Sequence, residues 1–304
     1  ICLVGDDPRL FDALEFDERL TCLDTIYDIA FLVMDLLARG LGGAANRFVE
    51  RYVERSGDLA GLALLPLGLA MRAAIRAHVS VAMAAGTADP GDALRDARRY
   101  LALAQSVLAP VPPRLVAVGG LSGSGKSTVA RALAPWLGAA PGALVLRSDV
   151  VRKRLFGVDP AERAGPEAYA PGTSDRVYET LRREAATALA AGRSVVVDAV
   201  HALPAERGAV EAVARRLGVP FDGLWLDAPA ATLVERVAAR AGDVSDATPE
   251  IVRRQLEYDI GPMSWHRVAA VPTFEAVVAT AAARLGLGDG VVLDMAQCRG
   301  AASA

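Results

Sequence analysis

The stretch Gly119-Gly120-Leu121-Ser122-Gly123-Ser124-Gly125-Lys126-Ser127-Thr128 decides the fold of this chain. It contains the pattern G-x-x-x-x-G-K-S, which follows the apolar run 115–118 and precedes an apolar helical pattern over 129–137. Glycines let a backbone curl so that successive N–H groups point inward, and a following helix adds its positive N-terminal end. This context predicts a buried strand, a phosphate-binding loop and a helix.

The same loop predicts a nucleoside triphosphate, ATP, with Mg²⁺ as its ligands. Lys126 would reach the β- and γ-phosphates, and the Ser127 hydroxyl would ligate the metal. The predicted nucleotide-binding residues are Gly120, Leu121, Ser122, Gly123, Ser124, Gly125, Lys126, Ser127 and Thr128. The alternative is an ordinary Gly/Ser-rich turn that fits the pattern by chance, and the flanking strand and helix patterns disfavour it.

Composition bounds the remaining possibilities. With 304 residues, the chain is long enough for two domains. Its net charge of −3 does not mark a nucleic-acid binder, and its three scattered cysteines favour a reduced cytoplasm over a disulfide framework. The longest apolar run, 59–71, is too short to span a bilayer, so we expect no membrane partner. The chain begins with Ile1, which suggests a fragment.

A proline-rich linker at 109–113 divides the chain. Proline removes a backbone donor and restricts the residue before it, so neither a helix nor a central strand is expected there. Before the linker, helical patterns cover 24–39, 45–55, 59–83 and 92–108, and short β segments are predicted at 1–4 and 9–11. The first part of the chain is therefore predicted to be mainly α-helical.

After the linker, strand and helix patterns alternate. Strands are predicted at 115–118, 143–146, 195–197, 224–226 and 267–270, and helices at 127–137, 150–155, 176–191, 205–217, 230–240 and 249–258. This alternation predicts an α/β fold, a parallel sheet with helices on both faces. We expect a helical region at 1–109, a linker at 110–113, an α/β domain at 114–285 and a tail at 286–304.

Asp149 is the first candidate for catalysis, because it follows the predicted strand 143–146. Open α/β sheets bind ligands at the carboxyl ends of their strands. A carboxylate there can accept the proton of a hydroxyl that attacks the γ-phosphate. Arg152, one helical turn further on, could steady the acceptor or the transferred phosphoryl group. The alternative is that Asp149 is a simple helix N-cap.

Asp198 ends a β-branched strand, Val195-Val196-Val197-Asp198. An acid in that place is typical of the strand that supports Mg²⁺ in phosphate-loop proteins. Asp198 could order a metal-bound water, or it could contact the acceptor. Both roles remain open at this point.

Arg236 and Arg240 are four residues apart and therefore share one face of a predicted helix. A polar, Gly-containing segment follows, and Pro249 opens the next helix. This arrangement suggests a mobile lid that brings arginines onto the phosphates. The alternative is a solvated helix end, where arginine is favoured by the helix dipole.

Several segments of 114–272 together resemble the small P-loop kinases of the group that contains gluconate kinase, polynucleotide kinase and zeta-toxin-type kinases. The matching segments are GLSGSGKST, RSDVVRKRL, VVVDAV, WLDAP, ERVAARAGDVSDAT and the stretch from Gln255 to Trp265. In that group the strand-end aspartate handles the acceptor hydroxyl, and lid arginines clamp the phosphates. The resemblance implies these roles for Asp149 and for Arg236 and Arg240.

The N-terminal third carries a second resemblance, to aminoglycoside phosphotransferase-like proteins. It rests on LFDALEF at 10–16 and DTIYDIAFLVMD at 24–35, and it is strongest to bacterial two-part proteins with a C-terminal ATP-binding kinase domain. In that family the aspartate that matches Asp12 ligates Mg²⁺. The family's nucleotide-binding lobe and catalytic loop have no counterpart in this sequence. The resemblance therefore implies that 1–109 is a helical remnant without catalytic activity.

These observations predict a kinase that transfers the γ-phosphate of Mg·ATP to a hydroxyl of a small molecule. The irregular segment 156–175 would carry the acceptor specificity. One alternative is a polynucleotide 5′-hydroxyl kinase, in which Arg147, Arg152, Lys153 and Arg154 would contact a phosphate backbone. A second alternative is a nucleotide-dependent switch that binds ATP and transfers nothing.

Overall fold

The N-terminal residues form a β-hairpin. The computed structural model describes residues 2–4, 7–9, 23–86, 89–159, 162–170, 172–239, 244–271 and 273–288. Strand β1 (Cys2–Val4) pairs antiparallel with β2 (Asp7–Arg9), so the second predicted β segment begins two residues early. Asp12, to which the second resemblance assigns a metal, lies outside the described residues.

The helical part follows this hairpin. It consists of α1 (Thr25–Ala38), α2 (Gly42–Ser56), a 3₁₀ turn (Gly61–Leu64), α3 (Leu65–Ala84) and α4 (Gly91–Leu108). The Asp24 carboxylate caps α1 by accepting the N–H of Ile26 at 2.8 Å. Gly40, which follows the C-cap residue Arg39 of α1, has a φ of +75°, a left-handed conformation that glycine adopts without strain at a helix C-terminus.

Helix α3 begins six residues later than the predicted helical stretch 59–83, because the 3₁₀ turn precedes it. The helical stretch Gly61–Ala84 has 24 residues and is, among the described residues, the one stretch long and apolar enough to cross a membrane by length and composition. A core helix of a globular protein meets the same criterion. In this structure α3 packs against α1 and α4, with the Cβ position of Gly68 only 3.0 Å from the Ala30 methyl group.

A five-stranded parallel sheet forms the second part. Its strands are β3 (Leu115–Gly119), β4 (Leu144–Arg147), β5 (Val195–Asp198), β6 (Phe221–Asp227) and β7 (His266–Ala269), in the order β4-β5-β3-β6-β7. The helices are α5 (Lys126–Leu133), α6 (Ser148–Leu155), α7 (Thr173–Ala190), α8 (Pro204–Leu217), α9 (Ala230–Ala238), α10 (Pro249–Leu256) and α11 (Phe274–Arg284). Of these, α11 was not predicted from the sequence.

Alternate residues of the strands enter different cores, one on each face of the sheet. In β3, Leu115 and Ala117 join a cluster that contains α7, α8 and the helical part. Val116 and Val118 join a second cluster that contains α5 and α11. Because both faces are covered, the central strand β3 is apolar and buried along its whole length rather than alternating. The predicted α/β fold class, with helices on both faces and a helical region before it, is confirmed.

The helical part packs directly on the sheet through α2. The Asn46 side-chain amide donates to the carbonyl of Ala143, just before β4, at 2.8 Å, and both groups are buried. Glu50, which is 2% exposed, lies 2.5 Å from Arg47 of its own helix and 3.8 Å from Arg131 of α5. One continuous apolar cluster includes residues from both parts. The proline-rich linker thus connects two regions that share a core.

Candidate active site

The loop between β3 and α5 has a backbone that only glycine could adopt. Gly120 has a φ of +143°, and a Cβ there would lie 2.6 Å from the Ser124 hydroxyl. Gly123 has a φ of +87°, and a Cβ there would lie 2.5 Å from the carbonyl of Leu233. Helix α5 begins at Lys126, immediately after this loop. Positions 120 and 123 of the loop therefore carry no side chain. The loop lies at the positive end of helix α5, and this arrangement suits a phosphate group.

The register of the parallel strands brings the candidate residues to this loop. Asp198, the last residue of β5, is aligned with Val118 of β3 on one side and with Arg147 of β4 on the other. All three strands end at the same edge of the sheet. The loop follows the central strand β3, from which the chain crosses first to one side and later to the other. Open α/β sheets bind ligands in the crevice at such a switch point.

The two predicted metal ligands are joined by Arg147. Its Nε donates to Asp198 Oδ2 at 3.3 Å, and its Nη2 donates to the Ser127 hydroxyl at 3.2 Å. The Arg147 and Asp198 side chains are 2% and 3% exposed. Asp198 Oδ1 is buried and has no hydrogen-bond partner among the described residues. The structure therefore brings Ser127 and Asp198 to one guanidinium group.

These oxygens suit Mg²⁺. The metal prefers hard oxygen ligands and usually takes one or two from the protein and others from phosphates and water. The Ser127 hydroxyl and the unpartnered Asp198 Oδ1 are such groups. Within the described ranges, no group of three or more His, Cys, Asp or Glu side chains forms a metal cage. A metal here would need the nucleotide phosphates to complete its coordination.

Lys126 and Asp149 have charged side chains that are not neutralised by the fold. Neither has an ion pair or a side-chain hydrogen bond with any described residue, and both are partly exposed. Helix α6 begins at Ser148 with Arg147 in the N-cap position, so Asp149 lies inside the first turn. The alternative interpretation of Asp149 as the N-cap is therefore wrong.

Arg152 contacts the irregular segment that follows α6. Its Nη1 donates to the Ala168 carbonyl at 2.7 Å, its Nη2 donates to the Ser174 hydroxyl at 3.4 Å, and its guanidinium carbon lies 5.0 Å from the Tyr169 ring centroid. Burial, then the hydrogen bond to Asp246, raises the pKa of Tyr169, and the nearby Asp149 charge adds to this effect. Arg152 thus positions a segment whose Tyr169 is close to Asp149.

A second contact ties the same segment to the region after α9. Asp246 Oδ2 accepts from the Ala164 N–H at 3.0 Å and from the Tyr169 hydroxyl at 2.9 Å, while Oδ1 lies 3.2 Å from Lys153 Nζ. Lys153 is 1% exposed and also donates to the Glu162 carbonyl at 2.5 Å. We call these contacts of Lys153, Tyr169 and Asp246 the latch. The latch ties the predicted acceptor segment to α6 and to the region before α10.

The predicted cluster of basic residues does not form a surface patch. Arg147, Arg152 and Lys153 are buried, and each makes the internal contacts described above. Arg154 is the exposed member, and it forms an ion pair with Glu184 of α7. These four side chains therefore present no continuous basic surface to a nucleic acid.

The lid helices rest on the phosphate-binding loop. Leu233 and Val237 of α9 and Val252 of α10 form a small core with Leu121 of the loop. Arg236 lies on α9 beside these residues and has no ion pair with any described residue. Arg240, its predicted partner on the lid, lies outside the described residues.

One hydrogen bond also connects the lid to the loop. The Gln255 side-chain oxygen accepts the backbone N–H of Ser122 at 2.8 Å, and both residues are buried. Sequence reasoning did not assign this role to Gln255. Its only signal was membership of the segment that resembles the lid region of small P-loop kinases.

His201 is a buried residue to which the sequence analysis assigned no role. It follows β5, adopts a φ of +50°, and lies between the rings of Tyr178 (5.4 Å) and Trp265 (5.2 Å). Neither ring nitrogen has a hydrogen-bond partner among the described residues. Burial, and secondarily the charge of Lys126, lowers the pKa of His201 to about 3. The imidazole is therefore neutral beside the phosphate-binding loop.

Comparison with known proteins agrees with this description. Residues 115–262 match the family model described as "AAA domain". The chain is 37% identical over 281 residues to the uncharacterized protein Rv2004c of Mycobacterium tuberculosis and to the uncharacterized protein Mb2027c of Mycobacterium bovis. These alignments cover 88% of this chain and 53% of each relative. The chain thus spans about half the length of the curated relatives it matches.

Three solved kinase structures are similar to this chain over somewhat more than half of its length. They are a sugar kinase from Janibacter (21% identity, TM-score 0.42, 59% of this chain and 98% of that chain), a gluconokinase from Sinorhizobium meliloti (23%, 0.40, 58% and 92%) and the Mycobacterium tuberculosis APS kinase CysC with AMPPNP and APS (23%, 0.41, 58% and 99%). The class of the domain rests on the loop, the sheet order and the family match. This part of the chain has the fold of P-loop proteins.

Proposed function

We propose that this chain is a phosphotransferase that moves the γ-phosphate of Mg·ATP to a hydroxyl of a small molecule. The observation that supports this best is the placement of Asp149. Its carboxylate has no described partner and lies in the first turn of α6, two residues beyond the end of a strand that is adjacent to the Asp198 strand. A base in this place is within the crevice that the phosphate-binding loop opens.

Each charged residue of the site has a separate role in the proposed reaction. Asp149 orients the acceptor hydroxyl and takes its proton as the hydroxyl oxygen bonds to the γ-phosphorus. The bond from that phosphorus to the β-bridging oxygen breaks, and ADP leaves. Lys126 stabilises the negative charge on the phosphates, and Arg236 and Arg240 would add to it from the lid. Catalysis of this kind depends on positioning and charge rather than on covalent intermediates.

Ser127 and Asp198 are the protein groups that would hold the metal. When bound, Mg²⁺ neutralises charge on the phosphate oxygens. Asp198 has one buried oxygen available for the metal or for a water bound to it. The acceptor would bind under the segment 162–170, which Arg152 and the latch hold in place. A small-molecule acceptor is the partner this closed arrangement favours.

The test is transfer of labelled γ-phosphate from Mg·ATP to a fractionated pool of metabolites. We expect wild-type protein to label one class of small molecule, and Asp149→Asn to reduce the transfer about 100-fold or more, because a general base contributes that much. ATP binding, measured separately, should persist in Asp149→Asn.

Asp92→Asn is the matched control. Asp92 is also the second residue of a helix, but it lies on the surface of α4, where it pairs with Arg95. This variant should transfer phosphate at the wild-type rate. Tight ATP binding by the wild type without any labelled small molecule would contradict the proposal and favour the nucleotide-dependent switch. Label on a polynucleotide alone, with a steep salt dependence, would favour the nucleic-acid kinase.

A further inference from the structure

Arg147 occupies an unusual place for a buried cation. Its guanidinium group contacts the Ser127 hydroxyl at 3.2 Å and the Asp198 carboxylate at 3.3 Å, and its side chain is 2% exposed. These are the same two residues whose oxygens suit Mg²⁺. The register between β4 and β5 sets this geometry, because Arg147 and Asp198 are directly paired across the two strands.

The contact has a clear electrostatic cause. A carboxylate that is 3% exposed is costly unless a positive charge compensates it. Without a metal, Arg147 provides that charge and also fixes the position of the Ser127 hydroxyl. With a metal between Ser127 and Asp198, two cations would share one carboxylate and one hydroxyl, and they would repel each other.

We infer that Arg147 is a positioning residue that takes the place of the metal between Ser127 and Asp198 in the nucleotide-free protein. It gives up the Ser127 hydroxyl when Mg²⁺ and nucleotide bind, and it keeps its ion pair with Asp198 Oδ2, which leaves Oδ1 for the metal. This inference rests on the proposed use of Mg·ATP. It assigns to Arg147 a competition with the metal rather than a contact with the acceptor.

The competition can be measured without any phosphate transfer. The protein is saturated with a fluorescent ADP in the presence of a chelator, and the Mg²⁺ concentration for half-maximal signal change is then determined. We expect Arg147→Gln to lower this concentration about tenfold or more, because a unit charge a few ångströms from a divalent cation is removed. Arg147→Lys keeps the charge and should stay close to wild type.

Two outcomes separate this inference from the proposed function. If Arg147→Gln binds fluorescent ADP without metal as the wild type does, but needs the same or more Mg²⁺, the inference is wrong and the proposed function stands. If wild-type protein binds no ADP with or without Mg²⁺, the proposed function is wrong. The inference is then wrong as well, because it rests on that function.

A measurement on wild-type protein covers the case in which Arg147→Gln does not fold. The Nε–H signal of Arg147 in a ¹⁵N–¹H spectrum is identified by its loss in Arg147→Lys. We expect it to stay unchanged when ADP is added with a chelator, and to shift when Mg²⁺ is then added. A signal that does not move on addition of Mg²⁺ would overturn the inference.

Discussion

At the scale of single residues, His201 shows how burial fixes a protonation state. The imidazole lies between two aromatic rings and has no described hydrogen-bond partner, so the imidazolium form would lose its hydration without compensation. Its pKa in the folded protein is lowered to about 3, whereas an exposed histidine titrates near 6.5. The folded protein therefore keeps this side chain neutral over the whole physiological range of pH.

This difference in pKa predicts that His201 makes the folded protein less stable at acid pH. The substitution His201→Asn should remove that contribution. The unfolded chain binds a proton at His201 below pH 6.5, and the folded chain does not until about pH 3. Stability from this residue is thus complete above pH 6.5 and is lost as the pH falls toward 3, by about 1.4 kcal/mol per pH unit. Asparagine tolerates the positive φ and does not titrate.

Urea unfolding of both proteins at neutral pH and at about pH 5 measures this effect. We expect the free energy of unfolding to fall more steeply in wild type than in His201→Asn, whatever the offset between them at neutral pH. Parallel losses in the two proteins would show that His201 is protonated in the folded state, or is not buried as described.

At the scale of elements, the latch joins three segments that are distant in sequence. Lys153 belongs to α6, Tyr169 to the segment before α7, and Asp246 to the segment before α10. The ion pair between Lys153 and Asp246 is buried, since the two side chains are 2% and 9% exposed. A buried ion pair of this kind is most sensitive to the loss of one partner.

We therefore expect Asp246→Asn to destabilise the protein by about 3 kcal/mol, because it removes the carboxylate from a buried lysine. Tyr169→Phe is the matched comparison, since it removes one neutral donor to the same carboxylate and should cost at most about 1 kcal/mol. Chemical denaturation of the two variants measures both values. Equal losses in the two variants would show that the Lys153 contact contributes little.

The elements that the sequence predicted best are those with a strong local signal. The loop 120–127 with its flanking strand and helix was confirmed because glycine spacing and β-branched runs act locally. The Ala-rich helix α11 was missed because alanine carries little periodic pattern. Strand β6 begins three residues earlier than predicted, and it includes Gly223, whose missing side chain leaves room for the Trp265 ring.

The contacts of the candidate site could not be predicted in the same way. Arg147 and Asp198 are 51 residues apart, and their pairing depends on which strand lies next to β4. Gln255 and Ser122 are 133 residues apart. The loop motif identified Lys126 and Ser127 as candidates, and positions at strand ends identified Asp149 and Asp198. Only the folded sheet shows that Ser127 and Asp198 share Arg147 as a partner.

At the scale of the whole molecule, the helical part and the sheet are joined by a shared core. The contact between Asn46 and Ala143 spans 97 residues, and the same apolar cluster includes side chains from both parts. The sequence predicted a division at the proline-rich linker, because local composition changes there. It could not predict that α2 would pack on β4. The origin of the helical part in a phosphotransferase-like lobe stays a prediction.

A shared core predicts that the two parts unfold together. All three tryptophans, Trp136, Trp225 and Trp265, lie in the sheet part, so their fluorescence reports mainly on that part and on its contacts with the helical part. Far-UV circular dichroism also includes α1 to α4. We expect the two signals to give the same urea midpoint, as a single cooperative transition requires. A dichroism change that precedes the fluorescence change would show that the helical part unfolds on its own.

The hydrogen bond from Ser122 to Gln255 has a consequence for timing. The Ser122 amide proton is donated to a lid helix, so it can be replaced by deuterium only in moments when α10 has left the loop. Its exchange rate, relative to that of an unprotected amide, therefore reports the fraction of molecules in which α10 is away from the loop. The protection of this one loop amide is thus a measure of how fully α10 covers the candidate nucleotide site.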